Sequence, residues 1–186
     1  LLAMQSEYIK TTKERYKEIS LLVNDIESFN GEKLPSFDVV MSHLYEYLCI
    51  NAENKQYALA HWSFIHGDPN TSNTMFNEDA SKCIFIDPRG YFGNCSMTGD
   101  IDYDFAKFAY GLTGYDAFNQ AAYVQFGYDY DTKNVIAKVT GYNIDELDLT
   151  HRQKVLVGLI WLKLPAYIKN NPAKAIIAYC HGMLML

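Results

Sequence analysis

Over residues 5–28 the apolar side chains Tyr8, Ile9, Tyr16, Ile19, Leu22, Val23 and Ile26 recur at helical spacing with Lys and Glu between them, which predicts an amphipathic helix. The pair Asn30-Gly31 is expected to end it. Pro35-Ser36 then opens a second helix through Val39, Val40, Leu44, Tyr47, Leu48 and Ile50. A polar break covers 51–55, and beyond it the period changes. Trp62-Ser63-Phe64-Ile65 reads as an extended segment, Thr74-Met75-Phe76 as another, 77–81 as a turn, and Cys83-Ile84-Phe85-Ile86 as a β-rich run that stops at Asp87-Pro88. A loop with Gly90, Gly93 and Gly99 leads to a helix over 102–111, with carboxylates in its first turn where the dipole favours them. Residues 115–141 read as helix and then a small excursion. Residues 145–169 and 172–186 read as helices, Pro172 suiting the first turn of the last. The pattern predicts an α+β fold, mostly helical, around one small β-hairpin lying between Asp68 and Asp87.

Composition bounds this picture without changing it. The chain has 186 residues, 49% hydrophobic and 20% charged, enough to bury a core and unlike a disordered segment. Aromatics reach 15%, so an aromatic-rich core is expected. A net charge of -6 with no basic run argues against a nucleic-acid partner. No apolar run approaches the length of a membrane span. The cysteines Cys49, Cys83, Cys95 and Cys180 form no C-x-x-C pair, which argues against a zinc ribbon or redox motif and points to a reduced, cytoplasmic setting. The sequence opens on Leu1 and runs into a charged helix, so it is expected to begin inside a longer protein.

Chemistry concentrates in Phe64-Ile65-His66-Gly67-Asp68-Pro69-Asn70-Thr71-Ser72-Asn73-Thr74-Met75-Phe76, which contains H-x-D-x-x-x-x-N between apolar flanks. Phosphoryl transfer needs one carboxylate facing the acceptor hydroxyl and, five residues on, an amide oxygen turned back to the metal beside the phosphates. A second, rigidly placed hard oxygen ligand is also required, and Asp87 at the end of a strand fits.

These residues resemble the aminoglycoside phosphotransferase and choline kinase superfamily, in which His-Gly-Asp stands in place of the His-Arg-Asp of protein kinases. Gly99-Asp100-Ile101-Asp102-Tyr103-Asp104-Phe105-Ala106-Lys107 is similar to that superfamily's segment after the metal Asp, with Phe105 where Leu is usual. Asp87-Pro88-Arg89-Gly90 followed by Phe92-Gly93 is similar to a subset linked to bacterial surface-polysaccharide synthesis. The resemblance spans residues 64–110. It implies the C-terminal lobe of a protein-kinase-like fold over 1–186, with ATP as co-substrate, Mg²⁺ as cofactor and a small-molecule hydroxyl as acceptor. It implies that Asp68 orients or deprotonates that hydroxyl, that His66 orients the loop, that Asn73 and Asp87 bind Mg²⁺ and nucleotide, and that Asp104 supports the loop from beneath. The Gly-rich phosphate loop and strand Lys of the family's N-terminal, nucleotide-clamping lobe have no match in this sequence, so that lobe is expected outside it.

Plainer readings stand beside each feature. Asp68, Asn73 and Asp87 are common turn formers, and Asp100 and Asp102 read as helix-start residues. Arg89 reads equally as a phosphate contact or a surface ion pair. Tyr115, Tyr123, Tyr128 and Tyr130 read as core or surface, or as an aromatic cage for a quaternary ammonium such as choline. His151 and His181 read as ordinary helix residues. Two other functions compete with the small-molecule kinase: a catalytically inactive kinase-like module that binds nucleotide or a partner, and a metal-dependent hydrolase, which would not need Asn73.

Overall fold

The longest unbroken run of buried residues, 156–165, lies in and just after the helix His151–Lys163. A helix buried on all sides has to be the centre of its domain. Thr150 caps it in a reciprocal capping box with Gln153, satisfying two of the free N–H groups of the first turn. In this computed structural model, which describes residues 1–186, the helices Ile101–Tyr110 and Pro172–Leu184 pack against it, as does the first helix of the chain. Trp161 sits at the middle, fully buried, edge-on to Tyr110, Phe118 and His181. Gly182 lets the last helix approach closely, since a Cβ there would lie 2.7 Å from the Leu162 backbone nitrogen.

The fold is mixed α+β: eight α-helical segments, several continued by π or 3-10 turns, with four small sheets. The opening helix runs from Leu2–Met4 through a π turn at Gln5–Lys10 and on over Thr11–Val23, stopping short of the expected residue 28. Asn30-Gly31 does not end a helix. Both residues have positive φ, 52° and 84°, and they close a hairpin between Ser28–Phe29 and Glu32–Lys33, the task to which Asn-Gly is best suited. That hairpin joins Asn134–Ala137 and Phe126–Asp129 in a four-stranded sheet. The excursion expected in 115–141 is thus half of a sheet whose other half lies some hundred residues away.

Ser36 caps the second helix, Phe37–Tyr45, which continues as a π turn over Glu46–Ile50. The polar stretch at 51–55 is not a break. Asn51 accepts from the Asn54 N–H and caps a further helix, Ala52–Ala60. The hairpin between Asp68 and Asp87 is present, pairing Thr74–Phe76 with Cys83–Phe85. Trp62–Phe64 pairs with Thr98–Asp100. The helix expected over 145–169 begins at His151 and gives way at Lys163 to a 3-10 turn carrying Pro165. No helix is long and apolar enough to cross a membrane.

Candidate functional site

Asp104, on the helix Ile101–Tyr110, accepts from the backbone N–H groups of His66 at 2.7 Å and of Gly67 at 2.8 Å. These bonds fix the turn that presents Asp68. Gly67 has φ of +81°, and a Cβ there would also lie 3.0 Å from the Arg89 side chain, so the position requires glycine. Burial pushes the Asp104 carboxyl up, and the two N–H bonds pull against that shift.

Two further hydrogen bonds hold the turn against the second hairpin strand. His66 Nε2 lies 2.9 Å from the Ile86 carbonyl oxygen, and the Arg89 N–H donates to the His66 carbonyl at 2.9 Å. The Asp68 N–H lies 3.3 Å from His66 Nδ1. With Nδ1 as acceptor, Nε2 carries the proton and donates to Ile86. The imidazole is thereby a brace between the loop and the residue before Asp87.

Asn73 donates through Nδ2 to the Asp68 carbonyl at 2.9 Å, which leaves its Oδ1 with no protein donor. Its own carbonyl accepts from the Ile86 N–H at 2.9 Å, placing the start of one hairpin strand beside the end of the other. Asp87 follows at φ of 56°, a left-handed conformation that only Asp and Asn among larger residues adopt with any ease. Its carboxylate is exposed and makes no salt bridge or hydrogen bond within the chain. No three His, Cys, Asp or Glu side chains cluster so as to hold a metal ion by themselves. The donors present are one amide oxygen and one carboxylate, which suits Mg²⁺, a cation that keeps several waters and phosphate oxygens in its shell.

Asp68 is half-buried. Its Oδ1 receives Lys107 Nζ at 2.8 Å and Asn70 Nδ2 at 3.3 Å, while Oδ2 has no partner. Asp68 borders a cavity of about 490 Å³ walled mainly by Tyr91, Tyr103, Tyr110, Tyr115 and the 3-10 turn at Leu164–Tyr167. Burial pushes the hydroxyls of Tyr103, Tyr110 and Tyr115 up, so they remain protonated donors.

The structure therefore brings His66, Asp68, Asn73 and Asp104 into one hydrogen-bonded unit, with Asp87 next to Ile86 at its edge. Sequence reasoning missed two members. Asn70 is buried and caps the 3-10 turn Thr71–Asn73, its Oδ1 accepting from the Asn73 N–H at 3.1 Å and from Ser72 Oγ at 2.6 Å. Lys107 stands three residues after Asp104, hence on the same helix face, which was a usable signal.

Arg89 is not a surface ion pair, although it also lines the cavity beside Asp68. It forms a bidentate pair with the buried Glu7 carboxylate, at 3.0 and 2.8 Å, and Lys163 reaches the same carboxylate at 2.7 Å. The two cations hold the Glu7 carboxyl down at about 2, despite burial. Desolvation lowers Lys163 to about 8. Asp100 and Asp102 are more than helix-start residues: Asp100 caps the helix and both form a buried group with Arg152, Tyr8 and Gln153. The four tyrosines fit the core-or-surface reading, and the alternative aromatic cage does not form. Tyr115 stacks on Tyr110 at 4.4 Å, Tyr123 is 93% exposed, and Tyr128 and Tyr130 meet only each other among the four. Among known proteins the chain matches no family model, no curated sequence and no solved structure.

Proposed function

We propose that this chain is the catalytic, C-terminal lobe of a kinase-like phosphotransferase that moves the γ-phosphate of ATP to a hydroxyl of a small molecule. The observation that carries the reading is the single unit formed by Asp68, Asn73 and the strand end at Asp87. A carboxylate with one unpartnered oxygen borders a cavity, and Asn73 Oδ1 and the Asp87 carboxylate, at the adjoining ends of the two hairpin strands, have no protein partner. Turn-forming roles alone give no reason for each of the three side chains to keep an oxygen without a protein partner. A hydrolase would have no use for the Asn73 brace.

Asp68 Oδ2 takes the proton of the acceptor hydroxyl as its oxygen attacks the γ-phosphorus, and the bond from that phosphorus to the β-bridging oxygen breaks to release ADP. Asn73 Oδ1 and the Asp87 carboxylate would hold Mg²⁺, which would neutralise charge on the phosphates. Lys107 holds the Asp68 carboxylate in place. Transfer is mostly positioning, and the Asp104 and His66 bonds to the loop supply it.

A second feature supports a nucleotide on the Asn73–Asp87 side. Phe64, Met75, Phe76, Ile84, Phe85 and Ile86 surround the hairpin, and every one of them is at least 42% exposed. A lone two-stranded hairpin is marginal in water, and exposed apolar side chains in this number call for a cover. The adenine ring and a β-rich clamping lobe would supply it. ATP as co-substrate and four free cysteines fit a cytoplasmic setting.

Calorimetric titration of Mg–ATP into the full-length protein tests the assignment. Asp87→Ala is expected to weaken binding far more than Asp68→Asn. Equal affinities in the two variants would remove Asp87 as a ligand.

A further inference from the structure

The cavity beside Asp68 is unevenly charged. Arg15, Arg89, Lys107 and Lys163 line it, against the single carboxylate of Asp68. Lys107 is paired with Asp68, while Arg89 and Lys163 share the one carboxylate of Glu7. Arg15 has no carboxylate partner. Its guanidinium donates to the Tyr167 hydroxyl and lies 4.4 Å from that ring's centroid. Four cations less Asp68 and Glu7 leave two surplus positive charges in the wall.

The aromatic faces point the same way. A quaternary ammonium would need open π-faces. Here Arg89 lies 4.1 Å from the centroid of Tyr91, Lys163 lies 5.3 Å from that of Tyr103, and Lys107 lies 5.6 Å from that of Tyr110. With Tyr167 held by Arg15, four of the cavity's tyrosines already carry one of the protein's own cations. A cationic acceptor would meet repulsion and no free cage.

We propose that the acceptor is anionic: a small sugar or polyol bearing a carboxylate or phosphate, its hydroxyl at Asp68 and its anion at Arg15. This rests on the phosphotransferase reading of Asp68 and narrows its substrate class. Among the acceptors open to such an enzyme, it sets acidic and phosphorylated sugars ahead of choline and aminoglycosides. Arg15 is the specificity-determining residue, because it is the cation whose donors are not already committed to a carboxylate.

Binding to the 186-residue chain, without nucleotide, reads this directly. The probes are glucose, glucosamine, glucuronate and glucose 6-phosphate, which share a framework and differ in charge. At least one anion is expected to bind about tenfold or more tightly than glucose, the scale of one charge-assisted hydrogen bond, with glucosamine weakest. The tighter anion identifies the group recognised, and the preference should shrink with added salt. Arg15→Gln should erase it and Arg15→Lys should keep most of it. Glucosamine binding as tightly as the anions, no binding of either anion, or an undiminished preference in Arg15→Gln would each overturn the inference. A preference lost equally in Arg15→Lys and Arg15→Gln would assign the effect to packing on Tyr167, and would overturn it too. The phosphotransferase reading fails separately, through absence of Mg–ATP transfer while the charge preference stands.

Discussion

Removing the Asp104 carboxylate should destabilise the fold, not only the chemistry. Asp104→Ala deletes the acceptor of two backbone N–H groups, those of His66 and Gly67, at 2.7 and 2.8 Å. Each half-buried donor left without a partner costs about 1–3 kcal/mol. Water will reach part of the vacated space, so the lower half of the range applies, and the sum is about 3 kcal/mol. For a chain of this size 1 kcal/mol moves the thermal midpoint by roughly 2–4 °C, which gives a fall of about 6–12 °C. Asp104→Asn retains one acceptor oxygen and should fall between the variant and wild type. Thermal unfolding followed by circular dichroism gives the midpoint, and hydrogen exchange at His66 and Gly67 localises the loss. A midpoint within about 2 °C of wild type, with unchanged protection at both amides, would refute the role of Asp104 as the support of this loop.

Glu7→Gln should be among the most destabilising single changes, by about 3–5 kcal/mol in urea unfolding, because it leaves Arg89 and Lys163 buried without their carboxylate. In wild type the depressed Glu7 carboxyl contributes stability that is present above its ordinary value of 4.5 and is lost as pH falls toward about 2. His181 is half-buried, with Nε2 enclosed and unpaired, and desolvation lowers its titration from 6.5 to about 4. The unfolded chain binds that proton first, so stability should decline by up to about 3 kcal/mol as pH falls from 6.5 to 4, and His181→Leu should flatten the curve there. Lys107→Met should lower kcat for phosphoryl transfer about 10- to 100-fold by loosening the Asp68 carboxylate, with Mg–ATP affinity unchanged in calorimetry.

What the sequence made legible was local. The H-x-D-x-x-x-x-N spacing, the hairpin to Asp87 and the helix starts at Ser36 and Pro172 are each set by neighbours within a few residues, and each stands where the pattern put it. What escaped was set at long range. Asn30-Gly31 carries the same signal whether it ends a helix or turns a hairpin, and the strand at Asn134–Ala137 decides which. The Ala52–Ala60 helix has almost no apolar stripe, since Ala58 alone is buried, so periodicity could not reveal it. Arg89, Lys163 and Glu7 come together from three distant segments. Nothing in the residues flanking Arg89 marks it as the partner of a buried carboxylate. The Asp100–Arg152 pair is hidden for the same reason, across fifty-two residues.

The proposed function makes Asp68 the carboxylate that accepts the hydroxyl proton in a Mg²⁺-dependent transfer from ATP. It is tested most directly by phosphorus NMR on the full-length protein with Mg–ATP and a panel of neutral, cationic and anionic sugars, comparing wild type with Asp68→Asn. Expected is formation of a phosphorylated sugar and ADP by the wild type, a rate about 10²- to 10⁴-fold lower in Asp68→Asn, and Mg–ATP affinity nearly equal in the two. Transfer by Asp68→Asn at a rate close to wild type, or no transfer to any member of the panel by a wild type that binds Mg–ATP, would contradict it.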